Sequence, residues 1–344
     1  MKVRAEGETN NFTLLRLLLA LAVVLGHFKL LSGTEYPHFP SNLADAAVDC
    51  FFVVSGFLIA LSYARTRGLW SFYVRRFFRL YPMYACIVLI QTGIMLSMLP
   101  GGPFSEPHAT IRYLAVNLAF ANFLQYDIGG VLHGLHVPGI NPSLWTLKIE
   151  LGFYLIVPLV FLAIRRWGFR SLLAIFVASA VYEVVALHLG DPRFAKQLPG
   201  QMQFFVVGMA LYLYVPNFRL PSWVSAIVTV AFLVVWTWLD PIESGLCPLV
   251  VGAFVFCFAL CTPVAHMRTD MSYSVYLVHG PLIQTLLLLG LFRDTPLYMM
   301  GIIASVLALS YVAEHLVERP GNELGRRLAA RLAVPRVRAV VRAA

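Results

Sequence analysis

Charge is what this sequence has least of. Only 12% of its 344 residues are charged, about half the usage of an ordinary soluble domain. Too little polar surface could be built from it to cover a water-exposed globule. Cysteine is also scarce. The five cysteines (50, 86, 247, 257 and 261) show no CxxC or metal-ligand spacing, which excludes a disulfide framework and a zinc module. They read as small apolar packing residues. Cys50 and Cys247 both fall near the expected outer face, at depths that would permit a disulfide which nothing in the sequence demands. Internal repeats, low-complexity stretches and a soluble second domain are lacking. So is a secretory signal: the first apolar run is long and carries Arg16 instead of ending in a small-residue cleavage site.

What is present is apolar length. The chain is 59% hydrophobic, with a mean hydropathy of +0.76, which places it among polytopic membrane proteins. The pattern predicts an all-α bundle of about ten spans, 12–32, 46–64, 82–100, 143–164, 171–189, 201–215, 222–239, 247–265, 272–292 and 297–317, each near the ~20 residues a bilayer requires. The apolar segment 113–124 is too short to cross and reads as a re-entrant or interfacial helix.

Loop charges orient this arrangement. With the N-terminus inside, the inner segments hold 19 Lys and Arg and the outer loops hold 4, namely Arg112, Arg193, Lys196 and Arg293. Counting 113–124 as a span would put Arg165, Arg166 and Arg170 outside, against the positive-inside rule. Both termini are therefore expected in the cytosol, with a transmembrane domain over 1–322 and a basic tail over 323–344. The tail carries Arg326, Arg327, Arg331, Arg336, Arg338 and Arg342 among Ala, Leu and Val, the pattern of an amphipathic surface helix. The net charge of +9 reads as this topology signal plus contact with anionic lipids. Without a soluble basic domain, nucleic acid is not an expected partner.

Two ionisable residues stand inside the first span. Arg16 and His27 are eleven apart, ~16 Å of rise, and project from nearly one helical face. Such residues inside a span mark a substrate path or a proton-handling site. The densest charge follows in 65–82, with Arg65, Arg67, Arg75, Arg76 and Arg79. Arg76 and Arg79 are three apart, so on a helix they could grip one polyanion with forked donors. Positive-inside anchoring is the alternative for that loop.

The motifs then follow in order. After Arg16 and His27 comes Asp49-Cys50-Phe51-Phe52-Val53-Val54-Ser55-Gly56-Phe57-Leu58, then Arg76-x-x-Arg79 with Tyr81-Pro82. Ser143-Leu144-Trp145-Thr146-Leu147-Lys148-Ile149-Glu150 opens the fourth span and Ser272-Tyr273-Ser274-Val275-Tyr276-Leu277-Val278-His279 the ninth, and Glu318-Arg319-Pro320 closes the last. In this order they resemble the membrane-bound acyltransferase-3 family, over residues 10–322. The resemblance implies a ten-span inner-membrane enzyme that takes an acyl group, usually acetyl, from cytosolic acyl-coenzyme A. The acceptor would be a hydroxyl of an extracytoplasmic glycan or glycolipid, such as O-antigen, exopolysaccharide, periplasmic glucan or lipo-oligosaccharide. The chain looks like the stand-alone form, without the fused esterase-like domain of many relatives. No metal or redox cofactor is implied.

Two positions depart from the family pattern. Thr146 replaces the usual Ser and keeps a hydroxyl. Lys148, two residues before Glu150, points to the opposite side of its helix and is expected to pair with another span or to tune the acceptor.

Depth sorts the candidates. His27 and Glu150 lie ~8 and ~10 Å below the outer margin, with Asp49, Ser143 and Trp145 in the same outer layer. Arg16 and His279 lie ~6 and ~10 Å from the cytosolic margin, with Arg76, Arg79 and Glu318 at or beyond it; Glu318 is expected to end the last span through cytosolic pairing. The donor would meet Arg16, Arg76, Arg79, His279 and Tyr276 and deliver its thioester near His27. His27 would act as general base, with Asp49 the first and Glu150 the second choice of carboxylate partner. A transient acyl-His or acyl-Ser stays open, with Ser143 the nearest hydroxyl. Trp145, Ser143 and Lys148 would bind the acceptor.

Bland alternatives stand beside these roles. His27 could bridge helices, Arg16 could pair with a structural carboxylate, and Trp145 could be an interface anchor. Ser55-Gly56 reads as a close-packing pair. Ser272, Tyr276 and His279 recur on one face, as in a pore lining. The rival function is a permease or lipid-linked-glycan flippase, which explains the intramembrane charges but not Arg76-x-x-Arg79 together with the His27 and Asp49 motifs. Another rival is an enzyme using succinyl groups or a small-molecule acceptor such as a macrolide.

Overall fold

The computed structural model describes residues 10–35, 42–215, 220–238, 246–265, 267 and 269–333. Lys2, Arg4, Arg219, Arg268, Arg336, Arg338 and Arg342, which entered the charge pattern, lie outside them. The chain folds into α1 (Phe12–Ser32), α2 (Leu43–Arg65), α3 (Leu69–Ser97), α4 (Pro107–Leu118), α5 (Trp145–Trp167), α6 (Phe169–His188) and the one-turn α7 (Pro192–Ala195). Then follow α8 (Leu198–Tyr214), α9 (Ser222–Trp238), α10 (Cys247–Phe256), α11 (Ser272–Leu288), α12 (Pro296–Ala313) and α13 (Arg319–Arg331). No strand occurs among the described residues.

Six helical segments among the described residues are long and apolar enough to cross a membrane: α1, α2, α3, α5 with the turn before it, α6, and the continuous run Pro296–Arg331. The expected spans 201–215, 222–239, 247–265 and 272–292 correspond to α8, α9, α10 and α11, which are shorter. Segment 113–124 is the end of the short α4 followed by a 3₁₀ turn, Asn122–Leu124.

Two boundaries differ from the sequence reading. The stretch 65–82 is not a loop: α3 begins at Leu69 and runs 29 residues with Pro82 inside it. Apolar windows miss its first turns because Arg75, Arg76 and Arg79 dilute them. At the other end, Glu318 does not terminate the last span. A π-helical turn, Glu314–Glu318, leads from α12 into α13 without a break, and Arg319 N–H bonds back to the Glu314 carbonyl. The wider turn absorbs the donor that Pro320 lacks. The helix therefore passes through residue 322.

Glycine sets the closest helix contacts. A Cβ at Gly56 of α2 would sit 2.1 Å from the Phe205 carbonyl oxygen of α8, and one at Gly208 would sit 2.0 Å from the Val53 carbonyl oxygen. Reciprocal glycines let these two backbones touch, which maximises dispersion contact where lipid supplies no hydrophobic drive. Phe153 of α5 stacks on Phe205 at 4.1 Å and meets Phe52 edge-on at 5.5 Å, so α2, α5 and α8 share one core. A second small-residue stripe, Gly321, Gly325 and Ala329, lays α13 on the start of α3, and Ser71 Oγ donates to the Ala329 carbonyl at 2.9 Å.

Candidate functional site

The α1 stripe is anchored at both ends by α11 and the residues just before it. Arg16 forms an ion pair with Asp270, two residues before α11. Eleven residues further along α1, His27 Nδ1 lies 2.7 Å from His279 Nε2. Asp270 to His279 is nine residues. The two contacts occur in the same order along both segments, so α1 and α11 run parallel.

The depth layers are thereby corrected. His279 was expected well inward of His27, on the assumption that residue 272 marks the membrane margin. Asp270 instead meets Arg16, already ~6 Å inside its own helix, so α11 starts within the bundle and His279 sits correspondingly deeper.

Asp270 is the hub of the inner layer. Its Oδ2 also accepts from Arg79 at 3.3 Å, and its Oδ1 accepts from Ser272 Oγ at 2.6 Å. Arg79 forms a second ion pair with Glu318, whose other oxygen accepts from Ser274 Oγ at 2.9 Å. Arg16 and Arg79, with the two Ser272 bonds, together satisfy the Asp270 carboxylate. Arg16 and Arg79 are therefore committed to protein carboxylates. Arg76 is different. It donates to Ser62 Oγ at 3.0 Å and lies over the Tyr154 ring at 5.7 Å, while its buried Nε has no hydrogen-bond partner. It forms no ion pair among the described residues.

Arg16, Arg76, Arg79, Asp270 and Ser272 line a cavity of about 620 Å³, a size typical of small-molecule sites. Its basic end holds Arg16, Arg65, Arg75, Arg76 and Arg79 with Asp270, and its walls include Phe51, Leu58 and Leu147. Glu150 and Tyr154 line it too, the tyrosine hydroxyl donating to Glu150 Oε1 at 2.5 Å. A second cavity, about 490 Å³, shares Arg75, Arg76, Arg79 and Asp270 and is lined further by Arg319, Asn322 and Arg326.

At its other reach the large cavity is lined by Tyr276 and Thr146, whose hydroxyls are 2.9 Å apart. The imidazole pair adjoins this layer, with the rings of Tyr276 and His279 6.2 Å apart. Ser143 Oγ lies 3.3 Å from His279 Nε2, and Thr146 Oγ1 donates to the Ser143 carbonyl at 3.0 Å. Ser143 and His279 are fully buried, whereas His27 keeps 8% of its surface exposed.

The backbone around His279 is deliberately interrupted. Pro281 has no N–H to give the Leu277 carbonyl, and Asn141 Nδ2 donates there at 2.9 Å instead. Gly280 leaves room for this, since a Cβ would sit 2.9 Å from Asn141 Oδ1. The same Asn141 Oδ1 accepts from Ser143 N–H at 3.2 Å. One asparagine thus ties the His279 turn to the start of α5.

Neither expected carboxylate reaches His27. Asp49 is not part of the cavity lining; its charged neighbours are Asp45, Lys196 and Glu183, and Lys196 pairs with Asp45 at 2.8 Å. On α2 the Asp45 and Asp49 side chains are one turn apart and share a face, which is turned toward α6 and α8. Glu150 belongs to the cavity beside Tyr154. The partner of His27 is His279, an assignment hidden by 252 residues of separation. Among the described residues Lys148 meets neither a carboxylate nor another span: its ammonium lies 4.6 Å from the Phe123 ring centre, in the connection before α5. Trp145 is half-buried against the α2–α5–α8 core. All five cysteines are free.

Asp270 and Asn141 were missed in the sequence. The available signals were an Asp two residues ahead of a span's first Ser, and an Asn-Pro before the fourth span.

The family described as "Acyltransferase domain" matches residues 9–315. Nodulation protein 10 of Rhizobium leguminosarum bv. viciae is 26% identical over 364 residues, covering 95% of this chain and 97% of its own. An O-acetyl transferase of Shigella phage Sf6 is 26% identical, covering 91% of this chain and 96% of its own. Acyltransferase MdmB of Streptomyces mycarofaciens is 28% identical, with coverage of 72% and 70%. No solved structure matches.

Proposed function

The chain belongs to the acyltransferase-3 family, and from that premise we propose that it carries an acyl group, acetyl first among the candidates, from cytosolic acyl-coenzyme A to a hydroxyl of an extracytoplasmic glycan or glycolipid. The observation that supports this most directly is one cavity with an arginine-rich end, apolar walls, and an imidazole pair adjoining its other reach. An acyl thioester on a polyphosphate handle has that same order of chemistry. In this reading α8 to α11 complete a ten-span bundle with both termini in the cytosol of a bacterial inner membrane.

Arg76 is the cation best placed to take donor phosphate, because Arg16 and Arg79 already answer to Asp270 and Glu318. The acyl end extends past Phe51 and Leu58 toward Tyr276 and Thr146. His27 Nε2 then takes the proton from the acceptor hydroxyl as its oxygen attacks the thioester carbonyl. A C–O bond forms, the C–S bond breaks, and the departing thiolate takes the proton back from His27. Glu150 supports Tyr154 and Arg76 within the cavity and does not act as the base's partner.

Mass spectrometry of surface glycans from cells with and without the gene tests the reading. Loss of one ester-linked acyl group, with matching transfer from labelled acetyl-coenzyme A by purified protein in vesicles, is the expected result. Unchanged glycans, with no binding of acyl-coenzyme A, would overturn it. Competition among acetyl, succinyl and longer thioesters identifies the acyl group.

A further inference from the structure

The hydrogen bonds around His279 admit one arrangement of protons for a pair of neutral imidazoles. His279 Nδ1 lies 3.0 Å from the Val275 carbonyl oxygen. A carbonyl cannot donate, so Nδ1 carries the hydrogen and Nε2 is left as an acceptor. His27 Nδ1 faces that acceptor at 2.7 Å. Two lone pairs do not approach so closely, hence His27 Nδ1 must carry the hydrogen between them. Ser143 Oγ, at 3.3 Å from the same nitrogen, is the longer and weaker of its two contacts.

The consequence falls on the other side of the His27 ring. With Nδ1 protonated, Nε2 holds the lone pair, and no described residue bonds to it. Among the described residues neither ring forms an ion pair with a carboxylate, so the chain from Val275 C=O through His279 to His27 is the only fixed influence on the tautomer.

We infer that His279 is a positioning residue: its Nε2 accepts from His27 Nδ1 and so holds His27 in the tautomer whose Nε2 can receive a proton. When His27 Nε2 gains the acceptor's proton, the Nδ1–H bond to His279 persists and no hydrogen need move. His279 thereby does what a carboxylate does for the histidine of a Ser-His-Asp triad, through a neutral ring held by a backbone carbonyl. The inference rests on the proposed role of His27 as base. It replaces Asp49 and Glu150 with a partner supplied by α11. The Asn141 bond to Leu277, made where Pro281 interrupts the helix, fixes the turn that carries His279.

Three substitutions and one spectrum test it. His279→Gln keeps an acceptor oxygen near the position of Nε2 and is expected to retain kcat within about tenfold. His279→Asn is too short to offer one there, and His279→Leu offers none. Both should lose about 100-fold or more in kcat, as wrong-tautomer histidines do, with KM for acyl-coenzyme A unchanged. In wild-type protein labelled with ¹⁵N-histidine, the His27 signals, assigned by their loss in His27→Ala, should report a hydrogen on Nδ1. A spectrum with the hydrogen on Nε2 overturns the inference whether or not any variant folds. So does full kcat in His279→Leu while His27→Ala is inactive; in that case the base reading stands and only the positioning role fails. Full turnover by His27→Ala removes the base and the positioning role together.

Discussion

Arg16 and Asp270 are joined by an ion pair that connects the fifth residue of α1 to the residues leading into α11, across 254 positions of sequence. Asp270 also serves Arg79 and Ser272, so one carboxylate organises two helices and one wall of the cavity. Replacing it leaves Arg16 without its counter-charge, and Arg79 with Glu318 alone, in a partly buried setting. Asp270→Asn should destabilise the protein in detergent by about 2 kcal/mol, read as a lowered midpoint of thermal unfolding. In a double-mutant cycle with Arg16→Ala the two losses should fall short of additive, since each removes the same contact.

Arg76 and Arg79 share a helix and a cavity but should fail in different ways. Removing Arg79 strands Glu318, which is 2% exposed, so Arg79→Ala should lower thermal stability by about 3 kcal/mol, and adding Glu318→Gln should restore part of it. Arg76 forms no ion pair among the described residues. Arg76→Ala should leave the melt within about 1 kcal/mol and weaken acyl-coenzyme A binding about tenfold or more, the scale of one charge-assisted contact. Isothermal titration with both variants separates the two outcomes.

His27→Ala should lower turnover by 10²- to 10⁴-fold, the range for loss of a general base, with acyl-coenzyme A affinity retained. The cavity lining does not include His27, which is why affinity and turnover should part company. Loss of both together would mean that the substitution collapses the α1–α11 contact.

Gly56→Ala and Gly208→Ala should each prevent stable assembly, because the new methyl carbon would sit about 2 Å from a backbone oxygen that cannot move alone. Gly301 of α12 is the control: nothing lies within 4 Å of its would-be Cβ. Gly301→Ala should match or slightly exceed the wild type in size-exclusion and thermal assays.

Helix identity was largely legible in the sequence, because apolar length and loop charge report local physics. The paired stripe of Arg16 and His27, the shared face of Arg76 and Arg79, and the close packing at Gly56 were legible for the same reason: each depends on spacing within one helix. Helix ends were less so. The charged first turns of α3 and the π-helical passage into α13 are stabilised by each other, through Gly321, Gly325 and Phe78, and neither segment signals this alone. Partners across the fold were hidden altogether. Asp49 stood beside His27 in the motif order but faces α6 and α8, since a helix sends neighbouring positions to different sides. His279 was found as a motif and misassigned in depth, because the start of α11 inside the bundle is set by Asp270 and not by hydropathy.

The pairing of Arg79 with Glu318 has a bearing on biosynthesis. The two residues are 239 positions apart, and Arg16 waits still longer for Asp270. At translation rates of 5–20 residues per second, α1 and α3 spend roughly 10–50 s in or near the membrane with their arginines unanswered. The basic end of the cavity is thus a late product of assembly. A chain cut short before Asp270 would leave both Arg16 and Arg79 without a carboxylate partner, and one cut between Asp270 and Glu318 would leave a single carboxylate to answer both.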